Sequence, residues 1–128
     1  MEQTNFRNVN RELSGFTGTS QYYKHFLGNL FTDGIYHLRE KFQCFWLVDD
    51  IMAYVKTAVT DEFQVWRLKR KLKMEHDIVI ERTDRFDLIC EDGNYNVLFS
   101  TVIPFSDFEG DEVMLYFCDG VLLLPSEY

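Results

Sequence analysis

Proline occurs only twice and cysteine three times in these 128 residues. No apolar run approaches the ~20 residues a membrane-spanning helix needs. The start, Met1-Glu2-Gln3-Thr4-Asn5, has neither the basic nor the apolar region of a secretory signal. The sequence therefore predicts a soluble, cytoplasmic protein that does not engage a membrane. Cys44, Cys90 and Cys118 form an odd set with no Cys-x-x-Cys spacing, which fits neither a disulfide framework nor a zinc site. They read as small buried hydrophobes in a reducing compartment. Phosphate-binding loops are also missing. Gly15-Phe16-Thr17-Gly18-Thr19 lacks the Gly-Lys-Ser/Thr ending of a P-loop and the third glycine of a dinucleotide fingerprint. No cofactor and no metal is expected.

Aromatics are abundant: 12 Phe, 7 Tyr and 2 Trp, within a chain that is 46% hydrophobic and 27% charged. That composition excludes disorder. The length gives one domain over 1–128, since a domain holds roughly 100–200 residues. Residues 1–12 are polar, have no clear period and read as a loose arm. The net charge of −8 argues against sequence-independent nucleic-acid binding. Its distribution is uneven: residues 1–73 carry 11 basic and 8 acidic side chains, whereas 74–128 carry 2 and 13. This asymmetry predicts a polarised surface whose acidic part attracts cationic partners. Acidic residues also keep small domains soluble.

The period of the apolar residues changes along the chain. Thr19 or Ser20 is placed to cap a helix carrying Tyr23, Phe26, Leu27 and Leu30 on one face. Thr32-Asp33-Gly34 opens a second helix with Ile35, Leu38 and Phe42. Phe45–Val59 is the strongest helix, with Trp46, Val48, Ile51, Met52, Val55 and Val59 on its apolar face. From Asp61 the period becomes two. Strands are expected over Phe63–Leu68, around Ile78 and Ile80, over Phe86–Cys90, Asn96–Ile103, Val113–Cys118 and Val121–Leu124. Asp92-Gly93-Asn94 and Asp119-Gly120 are hairpin turns. The expected fold is α+β, an N-terminal helical block packed on a C-terminal antiparallel meander of five or six strands.

Little here points to catalysis. Of the histidines His25, His37 and His76, only His37 has a carboxylate at helical spacing, Asp33, and a helix-capping role explains Asp33 more simply. Asp107, Glu109, Asp111 and Glu112 form the densest acidic cluster, without the Gly and Glu positions of a calcium loop. It suits a basic groove on another protein, as a mimic of nucleic-acid phosphates. A second reading uses Tyr22, Tyr23 or Trp66 to stack a base and Lys69, Arg70 and Lys71 to hold phosphate, as in a nucleotide sponge. Basic residues on a strand edge also discourage aggregation. A hydrolase built on His37 and Asp33 ranks last.

Taken in order, several stretches carry a resemblance: Leu13-Ser14-Gly15-Phe16-Thr17-Gly18-Thr19, Tyr22-Tyr23, Thr32-Asp33-Gly34, Trp46-Leu47 and Phe63-Gln64-Val65-Trp66. They continue with Asp92-Gly93-Asn94, Ile103-Pro104-Phe105-Ser106-Asp107-Phe108 and Leu123-Leu124-Pro125-Ser126-Glu127-Tyr128. Together they resemble an uncharacterised bacterial family of domains of unknown function, met in bacterial genomes and in phages or other mobile elements. Ser106 stands where the pattern has Thr, and Glu109 where it has Pro. The resemblance implies no activity and assigns no functional residues. With the composition, it leads to one expectation: a small, acidic, non-enzymatic binding protein that inhibits a host protein by occupying a basic surface. No direct contact with nucleic acid is expected, and a homodimer is compatible with the sequence.

Overall fold

The structure is a computed structural model that describes residues 6–128. Its elements run α1 (Val9–Glu12), β1 (Tyr22–Lys24), β2 (Leu30–Thr32), α2 (Asp33–Lys41) and α3 (Phe45–Thr57). Then come β3 (Phe63–Glu75), β4 (Ile78–Glu91), β5 (Val97–Ile103), β6 (Glu112–Cys118), β7 (Val121–Leu123) and a 3₁₀ turn (Pro125–Glu127). The seven strands form one mixed sheet in the order β1-β2-β7-β6-β3-β4-β5. Helices α2 and α3 pack on the same face. Tyr54 of α3 stacks on Trp66 of β3 and meets Phe99 of β5, so alternate residues such as Leu68, Phe86, Leu88, Val113 and Leu115 are buried beneath it. The α+β class and the second and third helices match the sequence reading.

Two expectations are corrected. The segment after Ser20 is not a helix but the β1–β2 hairpin. Gly28 adopts φ +112°, and Phe26, expected on the apolar face, is 80% exposed. Tyr23 instead stacks between Phe31 and Tyr36 at ring distances of 5.5 and 4.7 Å, so tertiary packing overrides the local period. The sheet is also not an antiparallel meander alone, because β2 pairs in parallel with β7. The N-terminal half thus contributes an edge of the sheet as well as helices.

The described part of the expected loose arm is packed. β7 covers only the second half of β6, and residues 7–10 run along the first half. Asn8 bridges Glu112, and the Asn10 side chain donates to the Met114 carbonyl and accepts from its N–H, at 2.8 and 2.6 Å. Val9 is fully buried against Gly110, where a Cβ would come within 2.3 Å of the Val9 side chain. Residues 1–5 lie outside the described residues.

Candidate functional site

The acidic loop is shaped by a residue from the basic run. Arg70 of β3 donates to the carbonyls of Thr83, Phe108 and Gly110, at 2.5, 2.5 and 3.1 Å, with its guanidinium over the Phe86 ring. Its Nε donates to Asp111 at 3.0 Å, and Asp111 also accepts from Arg82 and, at 2.6 Å, from the Arg7 N–H. Asp111 is buried, so the structure removes it from the exposed cluster the sequence predicts. Glu112 is half-buried and lies 3.8 Å from Arg67. Asp107 and Glu109 remain exposed, with Glu109 3.7 Å from Arg7.

The basic run of β3 is matched in space by acidic neighbours. β3, which carries Arg67 to Lys73, lies between the acidic strands β4 and β6. Lys69 faces Asp87 on one side and Glu112 on the other, Lys73 faces Glu81, and Lys71 pairs with Asp87 at 3.1 Å. Such cross-strand pairs each contribute about 0.2–1 kcal/mol.

The residues predicted for base stacking are not brought together. Trp66 is fully buried and donates its indole N–H to Gln64 at 2.8 Å. Tyr23 packs under α2, while Tyr22 is exposed on the outermost strand. Arg70 is occupied in the loop. The suggested His37–Asp33 pairing is also replaced: Asp33 accepts from the Ser20 hydroxyl at 3.0 Å, and His37 packs on Phe16. Burial raises the Asp33 carboxyl, but hydrogen bonds led by that from Ser20 hold it below its ordinary value.

A pair the sequence reading missed joins the buried His25 to the half-exposed Asp49. Nδ1 of His25 accepts from the Leu27 N–H at 3.1 Å, so Nε2 carries the proton donated to Asp49 at 2.6 Å. Both nitrogens are engaged and the ring is buried, so this dyad pins the β1–β2 turn to α3 and offers no free base. Spacing gave no signal, because the partners are 24 residues apart. Burial pushes the Cys44 and Cys90 thiols up to about 12, so neither is a thiolate nucleophile near neutrality. No group of three or more metal-ligating side chains occurs among the described residues.

The cleft with the most chemical definition lies on the helix-free face of the sheet, with a volume of about 370 Å³. Val65 and Met114 form its floor. Phe63, Tyr116 and Tyr128 form one wall, with ring centroids 5.2–5.5 Å apart, and Tyr95 stands on the β4–β5 turn. Gly93, at φ +92°, lets that turn approach Phe63, since a Cβ there would come 3.0 Å from the ring. Arg67 is the one cation in the lining; it donates to Glu91 at 3.0 Å and lies near Glu112.

Carboxylates surround this end of the sheet. Asp61, Glu62 and Asp119 are exposed, and the Asp119 N–H donates to the Glu62 carbonyl at 3.2 Å. Asp92 accepts from Asn96 and from the Asn94 N–H, which holds its carboxyl below the usual range. The Cys118 thiol is pushed up by burial and then by Asp119 and Glu62, an internal sign of the local negative field.

The family model for DUF6876, a family of unknown function, matches residues 7–128. The chain belongs to this family. The match takes in the packed segment from Arg7 as well as the whole sheet of this DUF6876 chain, and the family carries no assigned activity. No curated protein and no solved structure matches the chain. No helix among the described residues is long and apolar enough to cross a membrane.

Proposed function

We propose that this DUF6876 chain is a non-enzymatic binding protein whose partner presents a cationic side chain to the aromatic cleft. The observation that carries this reading is the conjunction of the edge-to-face rings of Phe63, Tyr116 and Tyr128 with the rim of Asp61, Glu62, Asp92 and Asp119. Ring faces attract Lys or Arg by about 0.5–2 kcal/mol, more as the site is desolvated. Surface carboxylates steer the encounter and set its salt dependence. Asp107 and Glu109 lie beyond the opposite end of β6, beside Lys41 and Arg7, and offer a separate pair of exposed carboxylates to a basic partner. In the mobile-element setting the resemblance implies, that partner is a host protein, such as a defence nuclease, and occupation of its basic surface inhibits it.

The test uses the chain as bait in a nuclease-treated bacterial lysate, followed by titration of the captured protein. The E62K/D119K variant should weaken binding at least about tenfold, or 1.4 kcal/mol, and flatten its salt dependence. D107K/E109K should slow association with a smaller change in affinity. Unchanged affinity and salt dependence in E62K/D119K would sink the reading.

The cleft volume, within the roughly 300–1,000 Å³ typical of ligand pockets, favours one second reading: a small-molecule binder. In this cleft Arg67 with Tyr95, Tyr116 and Tyr128 takes the place of the expected Tyr22, Tyr23, Trp66, Lys69, Arg70 and Lys71, none of which lines it. A nucleotide at 100 times its Kd would stabilise the chain by about 2.7 kcal/mol in a thermal-shift screen.

A further inference from the structure

The two edges of the sheet differ in kind. β1 has three residues, one of them Lys24. β5 has seven, Val97-Leu98-Phe99-Ser100-Thr101-Val102-Ile103, with no charge and no proline, in a chain that is 27% charged. It is the outer strand beyond β4, so half of its backbone N–H and C=O groups point away from the sheet. Val97, Leu98 and Val102 are 60%, 36% and 44% exposed. Natural edges are usually blunted by Lys, Pro or brevity. This one carries a single irregularity, a register shift between Cys90 and Glu91 that leaves Phe99–Ile103 as a regular ladder.

We propose that β5 pairs antiparallel with β5 of a second copy of this chain, about a two-fold axis at Thr101. The sequence of the strand is self-complementary in that register. Phe99 meets Ile103 of the second copy, and Thr101 meets its own counterpart. Aromatic with β-branched and Thr with Thr are favourable cross-strand pairs. On the helix-free face Ser100 meets Val102, and Phe105, just beyond the ladder, is 69% exposed. A second copy is the occupant this edge suits, because self-pairing sets no like charges opposite one another despite a net charge of −8. The two sheets become continuous, and the symmetric contact closes without leaving a new edge at β5. This surface does not depend on the cationic partner of the cleft.

Light scattering coupled to gel filtration tests it. The wild type should run at twice 15.3 kDa. S100K/V102K and S100E/V102E place like charges across the axis at exposed positions and should each run as monomers. Mixing the two in equal amounts should restore the double mass. A monomeric wild type at high micromolar concentration overturns the proposal, as do charged variants that stay dimeric. Should either variant fail to fold, hydrogen exchange on the wild type decides. Slowing of the outward β5 amides with rising protein concentration supports the pairing, and concentration-independent fast exchange rejects it.

Discussion

Asp111 shows how far a side chain's role can lie from its place in the sequence. It looks like the third member of an acidic surface loop, yet it is buried and gathers Arg70, Arg82 and the Arg7 N–H. Neither its burial nor its partners could be read locally, because they come from residues 41, 29 and 104 positions away. Removing one member of a buried ion network leaves the others uncompensated, at a cost of about 3–5 kcal/mol. D111A should therefore lower the urea midpoint strongly, whereas E109A, at a 78% exposed side chain, should change stability by less than about 0.5 kcal/mol. Equal effects of the two variants would contradict the buried role. The thiols are legible in part: Cys44 and Cys90 are buried as expected, whereas Cys118, also expected to be buried, is only half-buried. In the native chain Cys118 should alkylate first, with Cys44 and Cys90 labelling only after unfolding, as peptide mass mapping would show.

Elements were readable where local chemistry and packing agreed. Thr32 caps α2 as expected, its hydroxyl accepting from the Ile35 N–H at 3.3 Å. Nothing local hints at a second cap, Glu127. Its carboxylate accepts from the Thr32 hydroxyl at 2.6 Å, the Leu124 N–H at 2.9 Å, the Gly34 N–H at 3.2 Å and the Thr19 hydroxyl at 3.3 Å. An acid at a helix N-terminus satisfies open N–H groups and complements the helix dipole. E127A should cost about 1–3 kcal/mol, measured by chemical denaturation, because it leaves these buried donors without an acceptor. G34A should be as harmful, since a Cβ at Gly34 would come within 2.4 Å of that carboxylate. A tolerated G34A would show that the 3₁₀ turn can shift away. The β1–β2 hairpin departs from its local pattern for the opposite reason: its aromatic spacing suits a helix, but the stack of Tyr23 between Phe31 and Tyr36 and the pairing of β2 with β7 make it a strand.

At the scale of the whole molecule, the α+β class and the C-terminal hairpins follow from the switch in apolar period, while the charge map does not. A sequence sums charge along one dimension; antiparallel pairing folds the basic β3 between acidic neighbours and leaves the net negative field at the cleft end. Stability should follow pH through the two buried thiols. Each keeps its proton in the folded chain up to about 12, while an unfolded thiol loses it near 9. Their contribution is therefore complete below the unfolded value and declines as pH rises from about 9 to 12. The C44A/C90A variant, though less stable throughout, should show a shallower alkaline decline in urea titrations than the wild type; identical slopes would reject the assignment. The parallel contact of β2 with β7, together with Glu127 on α2, has a consequence for synthesis. The bonds from Glu127 to Thr32 and Gly34 span 95 and 93 positions. During translation, the β1–β2 hairpin and α2 emerge from the ribosome long before the residues that dock and cap them exist. The nascent chain must hold its early aromatic surface unsatisfied until β7 and Glu127 have been made, a window in which a chaperone has the most to protect.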